Sequence, residues 1–215
     1  MRHGNVRARS GIRRMLSIVC AGALGFTVTA AATQQANADL VPRPHITPPP
    51  VPAGLQVPAG NAPFFVGHAT GTQQYVCLAN GTTFTWTFFG PQATLFSDNG
   101  HQETTHFLSP NPDEGGTARA TWQHSFDTST VWALAIATST DPAFVQPGAI
   151  PWLLLDVVGD QPGPQGGDRL IKTTYIQRVN TAGGVAPSSG CATAANIGAK
   201  ALVPYTTDYY FYQAS

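Results

Sequence analysis

The fold of this chain is decided by the stretch Thr72-Gln-Gln-Tyr-Val-Cys-Leu-Ala-Asn-Gly-Thr-Thr-Phe-Thr-Trp-Thr-Phe-Phe89, which has the pattern of a β-hairpin. Asn80 and Gly81 suit the two central positions of a type I′ turn, because both positions need a positive φ. That turn pairs Cys77 with Phe84 across the two strands. Since side chains alternate along a strand, one face then carries mainly aromatic groups and is expected to be dry. The residues on this face are Tyr75, Cys77, Phe84, Trp86 and Phe88.

The rest of the chain continues as short strand-like segments separated by turn signals. Gly90-Pro91 predicts a turn after the hairpin, and residues 109–116 predict a loop rich in Pro and Gly. Residues 150–158 are apolar almost throughout, as in a central strand with both faces covered. We expect about ten short, mostly antiparallel strands and no long amphipathic helix. The pattern predicts an all-β fold with one disulfide, either a single-domain sandwich or a barrel.

Residues 1–38 have the features of an export signal. A basic start precedes a segment of small and apolar residues, and Ala36-Asn37-Ala38 forms an A-x-A cleavage site. The pair Arg13-Arg14 leaves the twin-arginine route open beside the ordinary secretory route. The sequence therefore divides into a signal peptide at 1–38, a Pro-rich spacer at 39–54 and an all-β domain at 55–215. A secreted or cell-surface protein is expected, without a membrane span after removal of the signal.

Removal of the signal changes the charge of the chain. The remaining 215 − 38 = 177 residues hold six Lys and Arg and all eleven acids, so the formal net charge becomes 6 − 11 = −5. This length is sufficient for one domain with a hydrophobic core. A mildly acidic chain with scattered bases argues against a nucleic-acid partner.

Two of the three cysteines, Cys77 and Cys191, lie beyond the signal. An exported chain favours a disulfide between them, and the alternative is a pair of buried thiols. The disulfide would close a loop of 191 − 77 = 114 residues. The chain-entropy model assigns such a loop about 4–5 kcal/mol of stabilisation as an upper value.

Common catalytic signatures are absent from the sequence. It contains no G-x-S-x-G elbow, H-E-x-x-H motif, P-loop, C-x-x-C pair or dinucleotide-binding glycine fingerprint. No cofactor is therefore expected. The spacing of His101, Glu103 and His106 does not place all three on one strand face, so no metal site is predicted, although a site assembled by the fold stays open.

A few polar and aromatic residues are candidates for a site. Arg178 could bind an anionic ligand through a bidentate pair of hydrogen bonds. Alternatively, it could form a salt bridge with a neighbouring acidic residue or bind loop carbonyl oxygens. Alternation places Asn180 on the same face as Arg178. Asp127 is most simply explained by an Asx turn. The candidate ligand-binding residues are His106, Trp122, Arg178 and Asn180, and no catalytic residue is assigned.

Several segments, in order along the chain, resemble a known family. They include residues 71–77, 105–107, 150–155, 203–212 and, most specifically, Arg178-Val-Asn-Thr-Ala-Gly-Gly-Val-Ala-Pro187. They are similar to the family known as domain of unknown function 3455, which consists of secreted proteins of bacteria and fungi. The resemblance implies an exported single domain and no mechanism. Some fungal relatives are labelled malate dehydrogenase, a label that the missing nucleotide fingerprint argues against here.

The chain departs from the family between residues 107 and 120, where its loop is longer. Two functional hypotheses follow from the sequence as a whole. The first is a non-enzymatic extracellular or cell-surface module, either structural or binding a glycan or small molecule. The alternative is a secreted enzyme with a site around His106, Trp122 and Arg178, joined by Asp127 and Asn180.

Overall fold

The computed structural model describes residues 46–215, and these form a closed barrel of eight antiparallel strands. Each strand pairs with the next, and the last strand pairs with the first to close the sheet. The strands are β1 (Asn61–Asn80), β2 (Thr83–Phe96), β3 (Gln102–Asn111), β4 (Thr117–His124), β5 (Thr130–Ser139), β6 (Trp152–Gln161), β7 (Thr173–Gly183) and β8 (Lys200–Ala214). Short 3-10 helices lie at Ala53–Leu55, Pro112–Glu114 and Ala194–Asn196. The all-β prediction is confirmed, and the architecture is the barrel rather than the sandwich.

The barrel has eight strands rather than about ten, because β1 and β2 are single long strands of 20 and 14 residues. The turn predicted at Gly90-Pro91 is wrong, since β2 continues through it. Gln74 of β1 pairs with Gly90, whereas Tyr75 pairs with Phe88, so Phe89 is an extra residue in β2. Such a β-bulge bends a strand without ending it and changes which residues face the interior.

The hairpin turn lies one residue later than predicted. Asn80 pairs with Thr83 and Cys77 with Trp86, so Gly81 and Thr82 occupy the turn. Gly81 has φ 62°, whereas Asn80 is not among the positive-φ residues, which fits the preference of type II′ turns for Gly at the first central position. The partner of each β1 residue moves by two positions, so the predicted set still shares one face.

The expectation that this face is dry holds only in part. Cys77 is fully buried, whereas Trp86 is half-buried and Phe88 is exposed. Residues 83–92 of β2 have only β1 as a neighbouring strand, because β2 pairs with β3 only from Ala93 to Phe96. Residues near the tip of the hairpin therefore lack the cover that the barrel gives to Cys77.

The predicted disulfide between Cys77 and Cys191 is confirmed, with a Cα–Cα distance of 5.5 Å. It fastens the segment between β7 and β8 onto the hairpin. The same contact is reinforced by the Trp86 indole N–H, which donates to the carbonyl oxygen of Ser189 at 2.8 Å. The Gly198 N–H donates to the Cys77 carbonyl oxygen at 3.0 Å.

Apolar side chains form two clusters, one inside the barrel and one on its outer surface. The interior cluster includes Leu95, Trp122, Ile176, Tyr209 and Phe211. The outer cluster, with Leu55, Trp152, Leu154, Val179 and Tyr212 among its members, is covered by the segment that precedes β1.

The described part of the Pro-rich segment packs against this outer cluster. Ile46, Val51 and Val57 contact it, and the Gln177 amide donates to the Leu55 carbonyl oxygen at 2.6 Å. The signal peptide predicted at 1–38 and the start of the spacer lie outside the described residues. Within residues 46–215, no helix is long and apolar enough to cross a lipid bilayer.

Candidate functional site

A gap between β2 and β3 opens the side of the barrel. The two strands are paired only between residues 93–96 and 102–106, and beyond His106 they separate. A groove of about 600 Å³ lies along the gap, and a cleft of about 230 Å³ lies between the barrel strands. We call these the outer groove and the inner cleft. Pro91, His106 and Leu108 line both, so the groove and the cleft are adjacent.

His106 and Trp122 form one wall of the inner cleft. They are opposite each other on β3 and β4, and their rings stack at a centroid distance of 4.1 Å with an interplanar angle of 12°. The Nδ1–H of His106 donates to the Thr121 carbonyl oxygen at 2.9 Å, since a carbonyl can only accept. Burial lowers the pKa of His106 to about 3, an effect that the Thr121 bond opposes and the Arg178 charge reinforces. His106 is therefore neutral at ordinary pH, with Nε2 as an acceptor.

Arg178 brings a positive charge to the cleft from β7. Its Nε and Nη2 donate to the Pro151 carbonyl oxygen at 3.1 and 2.7 Å. It makes no salt bridge to any acid in the described part of the chain. The other cation lining the cleft, Arg119, is held by Glu114 through bonds of 2.6 and 2.7 Å. Arg178 is thus the cleft cation without a counter-ion.

Three buried donors that line the inner cleft have no hydrogen-bond partner among residues 46–215. They are Gln73 Nε2, Trp122 Nε1 and the Tyr209 hydroxyl. Burial raises the pKa of Tyr209, although the Arg178 charge and side-chain interactions with Tyr205 and Arg178 partly oppose the rise, so the hydroxyl has polar neighbours even though none of them lies in hydrogen-bonding geometry. The phenol therefore keeps its proton. We call Gln73, His106, Trp122, Arg178 and Tyr209 the cleft cluster.

Apolar side chains form the rest of the cleft wall. They come from β2, β3, β5 and β6, and include Phe88, Leu108, Ala133, Leu153 and Leu155. The cleft therefore combines a polar end, rich in donors, with apolar walls. This combination is typical of pockets that orient a small molecule through a few polar contacts.

Asn180 lies outside the cleft, although alternation predicted that it shares a face with Arg178. The β7–β8 register shifts after Val179, and Asn180 has φ 53°. These two irregularities turn the exposed amide to the outer surface, where Nδ2 donates to Asp208 Oδ2 at 2.8 Å. His68 links the same Asp208 carboxylate to Asp98, with Nδ1 and Nε2 at 2.6 and 2.8 Å from the two acids.

Asp127 also lies away from the cleft. Its carboxylate accepts hydrogen bonds from His124 Nδ1 at 2.9 Å, the Ser129 N–H at 3.0 Å and the Arg169 N–H at 2.9 Å. The predicted Asx turn is therefore present. Burial would raise the pKa of Asp127, but the bonds from Arg169 and Ser129 outweigh it and hold the pKa below its usual range. We call His124, Asp127, Ser129 and Arg169 the Asp127 clamp.

The clamp fixes the loop between β6 and β7 against the end of β4. A Cβ added at Gly163 would lie 1.8 Å from the Asp127 carbonyl oxygen, so the loop backbone passes too close for any side chain. The Leu170 N–H donates to Ser129 Oγ at 3.1 Å, which ties the far end of the loop to the same place. Both carboxylate oxygens of Asp127 accept hydrogen bonds from within the protein, which is the pattern of a structural element.

The structure thus brings together His106, Trp122 and Arg178 and separates them from Asp127 and Asn180. Sequence reasoning missed Gln73 and Tyr209. Gln73 lies four residues before Cys77, so alternation from Cys77 placed it on the inner face. Across residues 46–215, no group of three or more His, Cys, Asp or Glu residues is arranged to hold a metal ion.

A comparison with protein families matches residues 58–213 to the family described as protein of unknown function (DUF3455). The match covers nearly the whole barrel. No curated protein and no solved structure shows significant similarity to the chain.

Proposed function

The chain belongs to the DUF3455 family of unknown function, and we propose that it is an exported binding domain that holds a small molecule in the inner cleft. One observation carries the proposal. Three buried donors without protein partners converge on a single cleft, together with a guanidinium that has no counter-ion.

The energetic argument concerns these donors. A buried polar group that lacks a partner destabilises a fold by about 1–3 kcal/mol, and most proteins leave very few such groups. Gln73, Trp122 and Tyr209 come from β1, β4 and β8, and all three residues line one cleft, with their unpartnered atoms just beneath its surface. A ligand with acceptor atoms would reach them after a small adjustment of the side chains that cover them. Three further unpartnered buried groups, on Thr104, Trp152 and Tyr205, belong to residues that do not line the cleft.

The gap between β2 and β3 supports the proposal by providing a route to the cleft. The outer groove is lined by residues of β1, β2 and β3, and it shares His106 with the cleft. A ligand can therefore enter through the side of the barrel without disrupting a paired strand. The cleft volume of about 230 Å³ favours a small molecule over a glycan chain.

The enzyme alternative has less support. In the described part of the chain, no Ser, Thr, Cys, Lys, Asp or Glu lines the inner cleft. His106 is a weak base because burial lowers its pKa to about 3. Asp127 and Asn180 are used elsewhere in hydrogen bonds. A neutral histidine beside protonated phenols is suited to binding rather than to proton transfer at neutral pH.

Export is supported by the features of residues 1–38 and by the disulfide, since disulfides persist in oxidising compartments. The test is expression of the full chain in a bacterial host with analysis of each cell fraction. We expect a product outside the cytoplasm that begins at Asp39. A chain that stays in the cytoplasm with residues 1–38 intact would contradict export and leave the cleft proposal standing.

The binding proposal is tested by screening a library of small fragments against the purified protein with ligand-observed NMR. Ala120→Phe is the blocking variant, because Ala120 is half-buried and lines the cleft. Ala79→Phe makes the same change at an exposed hairpin position and serves as its control. We expect fragments that bind the wild type and the Ala79→Phe variant and lose binding to Ala120→Phe. Fragments that bind all three proteins equally, or no binding fragment at all, would contradict the proposal.

A further inference from the structure

We infer that the ligand of the inner cleft is a small carboxylic acid with an apolar body, whose carboxylate binds Arg178. This inference rests on the proposed function and names its ligand class. The argument depends on charge, donor count and volume, each of which is a separate property of the cleft.

The first step is the charge of the cleft. Within the described residues, neither the inner cleft nor the outer groove is lined by an Asp or Glu. Arg119 is neutralised by Glu114 through two charged hydrogen bonds. The Arg178 guanidinium is half-buried and lacks such a partner. A partly desolvated cation without an acid favours an anion over a neutral or cationic ligand.

The second step is the geometry of the donors. A guanidinium has five N–H donors, and Arg178 gives two bonds to the Pro151 carbonyl oxygen, which anchors its plane. The guanidinium also interacts with the Tyr209 hydroxyl, and its other N–H groups make no hydrogen bond to the described residues. Trp122, Gln73 and Tyr209 add one unpartnered donor atom each. An ionised carboxylate only accepts hydrogen bonds and offers about four lone-pair sites, so it matches this donor-rich end.

The third step is the space beyond the polar end. Ala133, Leu153 and Leu155 supply apolar walls. A cavity of about 150 Å³ accommodates a benzene ring. The volume of about 230 Å³ therefore holds a ring of that size together with a carboxylate. A long-chain acid or a polyanion would exceed the cleft and extend into the outer groove.

The experiment compares benzoate with benzamide, which has the same shape and no charge. Binding to the purified protein is measured by isothermal titration calorimetry at neutral pH. A hydrogen bond to a charged group is stronger than one to a neutral group, so we expect benzoate to bind at least about tenfold more tightly than benzamide. Equal affinities would overturn the carboxylate assignment while leaving the cleft proposal intact. If neither probe binds although other fragments do, only the carboxylate assignment fails; if no fragment binds either, both fail.

Variants then identify the residues responsible. Arg178→Gln is expected to abolish the preference for benzoate, and Arg178→Lys to retain only part of it, because Lys lacks the planar fork. Arg169→Gln removes a positive charge from an exposed position outside the cleft, so it should leave both affinities within about twofold. If Arg178→Gln does not fold, Tyr209→Phe provides the test, since it removes one donor and keeps the ring. Benzoate affinity unchanged by Tyr209→Phe and by the folded Arg178 variants would overturn the inference.

Discussion

Two polar clusters meet strand β4, which carries Trp122 of one and His124 of the other, and they differ in where their hydrogen bonds go. The Asp127 clamp, around His124 at the end of β4, directs its polar groups to other protein groups. The cleft cluster, around His106 on β3, leaves three buried donors unsatisfied beside a half-buried cation. His124, which binds an acid, therefore belongs to a structural element, and His106, which has no acid beside it, belongs to the candidate binding site. Unsatisfied groups, rather than the residue types present, distinguish the two.

The largest expected difference between the clusters is in stability. Asp127→Ala removes the acceptor for His124, Ser129 and Arg169 and leaves buried donors without partners. We expect the free energy of unfolding to fall by about 3 kcal/mol. Urea denaturation measures this change, with Asp160→Ala as the control because Asp160 is exposed. A loss of similar size in both variants would show that the clamp is not a special structural element.

The next difference concerns pH. The unfolded chain protonates His106 near pH 6.5, whereas the folded chain resists protonation down to about pH 3. The stability that depends on neutral His106 is complete above pH 6.5. It is lost as the pH falls from 6.5 towards about 3, by up to about 1.4 kcal/mol per pH unit. Urea denaturation as a function of pH measures the slope. His106→Phe should reduce it, and His101→Gln, at an exposed position, should not. An unchanged slope in His106→Phe would contradict a neutral, buried His106.

A smaller effect compares the loss of one hydroxyl in each cluster. Ser129 Oγ donates to Asp127 Oδ1 at 2.7 Å and accepts from the Leu170 N–H, so Ser129→Ala should destabilise the protein by about 1–2 kcal/mol. The Tyr209 hydroxyl has no hydrogen-bond partner in residues 46–215, so Tyr209→Phe should be neutral or stabilise by up to about 1 kcal/mol. Thermal unfolding of both variants measures the contrast. A similar destabilisation in both would mean that the Tyr209 hydroxyl serves the fold.

The fold was predictable from the sequence because its signals are local. Alternation and turn residues predicted an all-β chain, and Cys77 with Cys191 predicted the disulfide. The incorrect predictions, the position of the hairpin turn and the face on which Asn180 lies, each depend on the backbone conformation of one or two residues. Only Gly81 of the Asn-Gly pair takes a positive φ, and Asn180 has a positive φ that the alternation rule does not anticipate.

The candidate site was predictable only in part. His106, Trp122 and Arg178 were predicted as candidate ligand-binding residues, but the cleft that they line depends on the separation of β2 and β3 and on the bulge at Phe89. Both features arise from pairing between distant segments. Gln73 and Tyr209 became candidates only when the structure showed that their buried polar atoms lack partners.

The most direct test of the binding account is the NMR signal of the four tryptophan indole N–H groups during titration with a cleft-binding fragment. The Trp86 and Trp132 indoles already donate to Ser189 and Ser109, and the Trp152 indole lies in the outer cluster. Only the Trp122 indole is an unsatisfied donor of the inner cleft. We predict that the fragment shifts the Trp122 signal strongly and saturably, and the other three little. A fragment that binds without moving the Trp122 signal would contradict the account.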